Sequence, residues 1–199
     1  GFNQSNDISY DSSFDALCGI SKDELLSVFK DQIKELGEMN GMTEEETIEK
    51  LKRKYDGYHF SDGMIDVFNP FSLLNCFQKR KFMDYWFSTG TPTYLMRLLA
   101  NNHENINELA GKEYPAAEFV DYKATKQRPL PMIYQSGYFT IKGYNRRRDT
   151  YLLDFPNEEV RSGMVAALSS DYFGDTSSPS TWLNDVSDSL EAGDIEKFK

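Results

Sequence analysis

YDGYHF, residues 55–60, and NPFSLL, residues 69–74, form the stretch that decides the fold. Its first part follows a helical pattern and contains the dipeptide Asp56-Gly57. This dipeptide is a strong turn signal, because glycine adopts positive φ values without steric cost. We therefore expect a helix to end here and the chain to reverse direction within a few residues.

A second turn, at residues 61–63, predicts a short β-hairpin between residues 58–60 and residues 64–68. Asn69 then has the side chain of an N-cap, and Pro70 suits the first position of the next helix. Periodicity alone thus gives a compact aromatic hairpin between two helices. A structural elbow without chemistry accounts for this pattern as well as a functional site does.

Composition limits the classes of function. The chain has 199 residues and a net charge of −10, which favours one core of domain size or two small subdomains and disfavours nonspecific nucleic-acid binding by the whole molecule. The two cysteines, Cys18 and Cys76, have no metal-site spacing and indicate a reducing cytoplasm. No apolar run approaches the ~18–20 residues of a membrane helix, so we expect no membrane association.

Two capping boxes mark helix starts in the first third of the chain. Residues 21–24 (SKDE) and residues 43–46 (TEEE) both place a hydroxyl three residues before a glutamate. Apolar residues then recur at helical spacing over residues 25–36 and residues 48–55. We expect these two helices to pack as a small bundle with the helix that begins at Pro70.

A later segment predicts a further helix. Thr91 is a good N-cap, Pro92 suits the first helical position, and leucines follow at 95, 98 and 99. A polar stretch with a short helix around residues 106–110 comes next.

The last organised unit combines helices with a strand pair. Residues 129–135 predict a helix, and residues 138–141 and 150–155 predict two strands around a charged turn. Another helix is expected from residue 156 onwards. Helix, two-stranded wing and helix together suggest a winged-helix-like module, so the fold class is mainly α with small β-hairpins (α+β).

Several motifs resemble the AAA-ATPase-like family of Bacteroidetes and related bacteria. They are the opening stretch through DVFNPFSLLNCF, LCGISKDEL at residues 17–25, YQSGYFTIKGY at 134–144 and YLLDFPNEEVR at 151–161. The resemblance covers most of residues 6–173. The family signature, whose role the resemblance leaves open, consists of Tyr55, Asp56, Gly57, Tyr58, Asn69 and Pro70.

The resemblance implies three parts in the parent protein. A P-loop ATPase core that binds ATP and Mg²⁺ comes first, a helical and winged-helix-like region follows, and many members end in a restriction-endonuclease-like nuclease domain. This chain matches the middle part, which makes it a truncated piece. The implied layout is a helical lid-like region with the hairpin at 1–112, a winged-helix-like module at 113–175, and a linker with the start of a helix at 176–199.

The segment Gly90-Thr91-Pro92 resembles the Gly-x-Pro start of the lid helix in AAA-type ATPases. In several of those families an arginine directly after the proline senses the γ-phosphate. Thr93 stands at that position here, and Arg97 lies one turn further on. A nucleotide contact by Arg97 and an ordinary surface role both stay open.

The chain lacks the motifs of the chemistry that the family performs. It contains no G-x-x-x-x-G-K-[ST] string for phosphate binding and no Glu-x-Lys pair for a metal-dependent nuclease. His59 and His103 have no neighbouring metal ligands. We therefore expect this region to be non-catalytic, without a cofactor or metal of its own, and to act with the ATPase core and a possible nuclease-like domain.

Arg146, Arg147 and Arg148 are the candidate contacts to nucleic acid, because guanidinium groups at a wing tip match phosphate. A solvated hairpin tip is the alternative. Three functions follow from the sequence. The first is a lid and winged-helix-like region that couples nucleotide state to a partner. The others are a nucleic-acid-binding winged helix and a protein-interaction module without a nucleotide role.

Overall fold

The computed structural model describes residues 12–89, 93–120 and 128–173. This part of the chain contains eight α-helices and two small antiparallel sheets, so the prediction of a helical fold with small β-structures is confirmed. The helices are α1 Lys22–Val28, α2 Lys30–Asn40, α3 Glu44–Tyr55, α4 Pro70–Lys79, α5 Thr93–Asn102, α6 Ile106–Leu109, α7 Pro129–Gln135 and α8 Glu158–Phe173. The strands are β1 Ile20–Ser21, β2 Val67–Phe68, β3 Lys112–Tyr114, β4 Thr140–Asn145 and β5 Thr150–Asp154.

Three expected helix starts are confirmed, whereas the one at Thr91-Pro92 lies outside the described residues and the helix expected from residue 156 begins at Glu158. Ser21 and Thr43 each form a complete capping box, in which the hydroxyl accepts from an amide three residues on and the glutamate there accepts in return. Asn69 Oδ1 accepts from the amides of residues 71 and 72, and Pro70 opens α4. The helical pattern predicted over residues 25–36 is divided between two helices, because Phe29, with φ −108° and ψ 22°, separates α1 from α2.

The expected hairpin at residues 58–68 is reduced to a single bridge between Tyr58 and Val67. The prediction of two full strands there was wrong. The backbone amide of His59 donates to Thr140 Oγ1, and the Thr140 hydroxyl donates to the His59 carbonyl, so His59 has no free group for a hairpin ladder. Strand β2 pairs instead with β1, from far earlier in the chain.

The second sheet has the order β3-β5-β4, with both pairs antiparallel. Its β4–β5 pair confirms two strands around a charged turn, although the first strand was predicted at residues 138–141 and β4 covers Thr140–Asn145, and α7 has the predicted bounds. Strand β3 was not predicted. Phe119 and Val120, at the end of the described range 93–120, follow a 3₁₀ turn.

Two clusters of buried side chains form the interior. Helices α1–α4 surround the first, which we call the core of the helical unit, and it includes Leu25, Leu51 and Tyr55. Elements α5–α8 and β3–β5 surround the second, the core of the sheet unit, which includes Leu95, Phe119 and Phe139. Helices α5 and α6 thus pack in the sheet unit. The boundary at residue 112 stays a prediction, and residues 176–199 lie outside the described ranges.

The chain crosses between the cores at β2. Val67 belongs to the core of the sheet unit, whereas its neighbour Phe68 belongs to the core of the helical unit. Successive side chains of a strand point to opposite faces, so two adjacent residues can serve two cores. Among the described helices, none combines the length and apolar character that a membrane crossing requires.

Candidate functional site

The signature stretch lies where the two cores meet. Tyr55 is fully buried in the helical unit, where its hydroxyl donates to Met83 O at 2.8 Å and accepts from Met83 N at 3.1 Å. Tyr58, three residues later, belongs to the core of the sheet unit. The two residues between them, Asp56 and Gly57, therefore lie at the boundary between the units.

Side chains of the sheet unit hold the backbone of these two residues. Lys142 Nζ donates to Gly57 O at 2.6 Å and to Pro156 O at 2.9 Å, and Asn157 Nδ2 donates to Asp56 O at 2.9 Å. We call these five residues the joint. Burial lowers the pKa of Lys142, while the charges of nearby aspartates oppose that change. The joint fixes two consecutive carbonyls of the helical unit to the sheet unit.

Gly57 is required at the joint for two reasons. Its φ of +91° is one that other residues rarely adopt. A Cβ at this position would also lie 2.4 Å from Pro156 O and 2.7 Å from Lys142 Nζ. The turn signal in the sequence accounts for the first reason, and the close approach of the sheet unit adds the second.

The carboxyl group of Asp56 is buried beside the joint, with 8% of the residue exposed. Its Oδ1 has no hydrogen-bond partner among the described residues. Burial raises the pKa of Asp56 to about 6, and the charge of Asp66 acts in the same direction. The Gly57 amide and the charges of Lys142 and Lys52 oppose this rise. The carboxyl group thus titrates near pH 6.

A cavity of about 610 Å³, which we call the polar cavity, opens beside Asp56. Its walls carry charges of both signs. The basic residues are Lys22, Lys52 and Arg53, and the acidic ones are Asp23, Asp56 and Asp66. Among the described residues, no group of three or more His, Cys, Asp or Glu side chains is arranged to hold a metal ion.

Glu159 connects the units a second time. It is fully buried, and its two carboxylate oxygens accept from the Ser72 hydroxyl at 2.7 Å and from the Trp86 amide at 2.7 Å. Burial raises the pKa of Glu159, and these two donors oppose the rise. A third connection is His59, whose Nδ1 lies 2.7 Å from Ile141 O and whose Nε2 lies 2.7 Å from Asp66 Oδ1.

Sequence reasoning did not identify Lys142, Asn157 or Glu159 as contacts between the two units. Their partners lie 85, 101 and 87 residues away along the chain. A lysine inside a strand and polar residues at a helix start are ordinary surface patterns, so no local signal separates them from solvated side chains.

Tyr58, Asn69 and Pro70 line a second cavity, of about 840 Å³, which we call the apolar cleft. Its other walls come from Trp86 and from the end of α7 with the following residues. The residues of the family signature therefore line two different cavities. Asp56 and Gly57 line the polar cavity, and the later members line the apolar cleft.

The candidate lid residues are placed only in part. Gly90, Thr91 and Pro92 lie outside the described residues. Arg97 is exposed on α5, and Tyr94 on the same helix is 61% exposed, whereas Leu95 and Leu99 are buried. Helix α5 therefore presents one accessible face and packs its other face into the sheet unit.

Arg146, Arg147 and Arg148 are all exposed at the turn between β4 and β5. The guanidinium of Arg148 lies 3.6 Å from a carboxylate oxygen of Glu113. Asn145 Oδ1 accepts from the backbone amides of Arg147 and Arg148 and so closes the turn. None of these contacts involves the joint.

No protein-family model matches the chain, and no solved structure matches it. A protein of Azotobacter chroococcum mcd 1, described as an uncharacterized protein in the vnfD 5' region, is 32% identical over 197 residues, which is 98% of this chain. The chain spans 36% of the length of that relative. The similarity extends through both units and the joint between them.

Proposed function

We propose that this chain is the non-catalytic coupling region of an AAA-type ATPase. The helical unit together with helices α5 and α6 acts as a lid-like part, and the rest of the sheet unit acts as a winged-helix-like module that contacts a partner or a nuclease-like domain. The observation that carries the proposal is the joint. A relay needs two units whose relative position is fixed by specific contacts, and Lys142 and Asn157 supply such contacts to the signature stretch.

The topology of the sheet unit supports the winged-helix-like part of the proposal. Helix α7, the two-stranded β4–β5 wing and helix α8 follow one another in the chain, in the order helix, wing, helix. The strand β3 pairs with β5, which closes the sheet on the side away from β4.

The accessible face of α5 supports a contact with an ATPase core. A lid helix buried on all sides would leave no surface for such a core, but Tyr94 and Arg97 are exposed. The sequence of this region contains no P-loop. The proposal therefore assigns the binding of ATP and Mg²⁺ to the ATPase core. The relative from Azotobacter has further sequence in which a core would fit, since the matched region makes up 36% of its length.

The test uses the full-length gene product that contains this region. We expect it to bind and hydrolyse ATP, and we expect Lys142→Met to change the turnover by about tenfold while ATP binding is retained. Lys112→Met is the matched control, because Lys112 is exposed on β3 of the same sheet. Absence of ATP binding by the full-length protein, or equal turnover of both variants, would contradict the proposal.

A nucleic-acid-binding winged helix is the alternative that Arg146 and Arg147 favour, because both are exposed and neither forms an ion pair with a described residue. Helix α7 gives it little support, since its seven residues PLPMIYQ contain no basic side chain and most are buried. If the alternative holds, Arg147→Ala weakens duplex DNA binding and lowers the salt slope by about one.

A protein-interaction module without a nucleotide role is the other alternative. Large apolar side chains are exposed on α4, where Phe71 and Leu74 are each 47% exposed. This alternative predicts that the full-length protein responds to neither ATP nor DNA, and that Leu74→Asp abolishes binding of a partner protein.

A further inference from the structure

We propose that His59 is a positively charged latch, and that loss of a ring proton releases the residues directly before β2. The ring joins β4 of the sheet unit to Asp66, which precedes β2 in the chain. The inference rests on the two oxygen atoms that face the ring nitrogens. It goes beyond the coupling function and does not depend on an ATPase core.

His59 is held firmly by the sheet unit. The residue is 7% exposed, its amide donates to Thr140 Oγ1, and the Thr140 hydroxyl donates to its carbonyl. Its Nδ1 lies 2.7 Å from the carbonyl oxygen of Ile141. A carbonyl oxygen only accepts, so Nδ1 carries a proton and donates it. The backbone of β4 therefore fixes the orientation of the ring and the position of one proton.

The second ring nitrogen faces a carboxylate. Nε2 lies 2.7 Å from Asp66 Oδ1, a distance typical of a charge-assisted hydrogen bond. The carboxylate requires a donor, but Nδ1 already holds the one proton of a neutral ring. Both contacts are satisfied together when the ring has two protons and a positive charge. His59 and Asp66 then form an ion pair whose acidic side chain is 58% exposed.

Charged groups from three further elements act on this region. Asp56 follows α3, Lys142 lies on β4, and Asp154 ends β5. The charges of Asp56, Asp66 and Asp154 oppose the effect of burial on the pKa of Lys142, whose ammonium group donates to the carbonyls of the joint. Asp66 is the carboxylate that contacts the ring of His59. The proton on Nε2 thus decides whether Asp66 is held.

Loss of a ring proton affects the two contacts differently. The remaining proton stays on Nδ1, because the carbonyl group of Ile141 has no proton to offer. The lone pair of Nε2 then faces the carboxylate of Asp66, and two acceptors at this distance repel each other. Asp66 therefore moves away, while the contact between His59 and β4 remains.

The release reaches β2 and leaves the start of the loop in place. Asp66 adjoins Val67, whose amide donates to Tyr58 O at 3.2 Å. Near the other end of the loop, the Ser61 hydroxyl donates to Asp15 at 2.6 Å. Because the latch needs the proton, it is complete at low pH and is lost as the pH rises. The exchange of the Val67 amide with solvent reports this loss.

The first measurement reads the protonation of the two histidines in the 199-residue chain. Proton–nitrogen correlation NMR on protein labelled at histidine shows which ring nitrogens carry a proton. His103→Asn identifies the signals of His103, which is exposed and serves as the solvated reference. At pH 7 we expect protons on both ring nitrogens of His59. A neutral ring with a proton on Nδ1 alone would overturn the proposal.

The second measurement follows amide exchange of Val67 from pH 7 to pH 9, corrected for the intrinsic rate. Asp56, whose pKa burial raises to about 6, has lost its proton over this range. We expect exchange to become about fivefold faster as the latch opens. The change is moderate because water screens the exposed side chain of Asp66.

Asp66→Asn should abolish this pH dependence, because an amide group accepts from the protonated ring and donates to the neutral one. Asp62→Asn is the matched control, since Asp62 is an exposed carboxylate of the same loop, and it should keep the fivefold change. Both substitutions preserve side-chain size at exposed positions, so both variants should fold. Equal pH dependence in the two variants, or none in the unmodified chain, would overturn the proposal.

Discussion

The polar cavity and the apolar cleft touch the same short stretch and differ in almost every property. The polar cavity measures about 610 Å³ and has six charged side chains among the described residues of its walls, whereas the apolar cleft measures about 840 Å³ and has no Asp, Glu, Lys or Arg among the described residues of its lining. Asp56 and Gly57 face the first, and Tyr58 faces the second. Adjacent residues of one signature thus serve opposite chemical environments.

The two cavities differ because the joint fixes the backbone at Asp56 and Gly57, and the side chains of Asp56 and Tyr58 then face different environments. Lys142 and Asn157 hold the carbonyls of Gly57 and Asp56. Because these carbonyls are fixed, the carboxyl group of Asp56 stays at the polar cavity and the ring of Tyr58 stays at the apolar cleft. A change in the joint should therefore affect both cavities, and a change in one side chain should affect only one.

The largest effect is expected from Gly57→Ala. A positive φ costs a residue other than glycine about 1–2 kcal/mol, and overpacking against Pro156 O and Lys142 Nζ adds about 1–3 kcal/mol. We expect a loss of about 4 kcal/mol in the free energy of unfolding, measured by urea denaturation. Gly41→Ala is the matched control, because Gly41 has a φ of +67° but no atom within 4 Å of a Cβ. Equal losses at both positions would mean that the close approach of Pro156 and Lys142 to Gly57 does not affect the free energy of unfolding.

The second effect concerns Asp56 and pH. Its pKa is higher in the folded state than its ordinary value of 3.8, so the folded state holds this proton more tightly than the unfolded state does. The stability from this group is complete below pH 4 and is lost as the pH rises to about 6. The rise in pKa to about 6 corresponds to about 3 kcal/mol.

Asp56→Asn removes this titration, so it should gain about 3 kcal/mol relative to the unmodified chain between pH 4 and pH 8. Urea denaturation over that range gives the comparison. If the free energy of unfolding of the two proteins changed in parallel with pH, the carboxyl group of Asp56 would be solvated. The polar cavity would then not differ from ordinary protein surface in its effect on this group.

The third effect is expected from Lys142→Met. The variant keeps the length of the side chain but leaves the carbonyls of Gly57 and Pro156 without their donor, which should cost about 2 kcal/mol of unfolding free energy. Lys112→Met changes an exposed residue of the same sheet and should cost close to nothing. Similar costs for the two variants would show that the ammonium group of Lys142 does not stabilise the joint.

The smallest effect separates the two tyrosines. Tyr58→Phe removes a hydroxyl that has no partner among the described residues and should raise stability by about 1 kcal/mol, whereas Tyr55→Phe removes two hydrogen bonds to Met83 and should lower it by a similar amount. Thermal unfolding of both variants measures the difference in sign. A loss for Tyr58→Phe would reveal a hydrogen-bond partner for its hydroxyl, for which the neighbouring side chain of Asn69 is the candidate.

Local features of the fold could be predicted from the sequence, because their causes lie within a few residues. The capping boxes at Ser21 and Thr43, the Asn69-Pro70 start of α4 and the bounds of α7 all depend on neighbouring side chains. The positive φ of Gly57 belongs to the same class.

Long-range features could not be predicted in this way. Strand β2 pairs with β1 instead of with residues 58–60, because Thr140 takes the backbone groups of His59. The joint joins residues that are 85 and 101 positions apart. Family resemblance indicated the signature residues but not their partners, since the partners follow from how the two units pack.

Strand β2 also restricts which changes in chain length the protein can accept. Val67 and Phe68 serve different cores, so a shift of one residue would exchange them and leave both cores wrongly filled. The register of β2 against β1 is therefore fixed by the two cores together. Insertions and deletions should be tolerated at the exposed turn near Arg147 and rejected within β1 and β2, so that natural length variation would collect at the turn and avoid these strands.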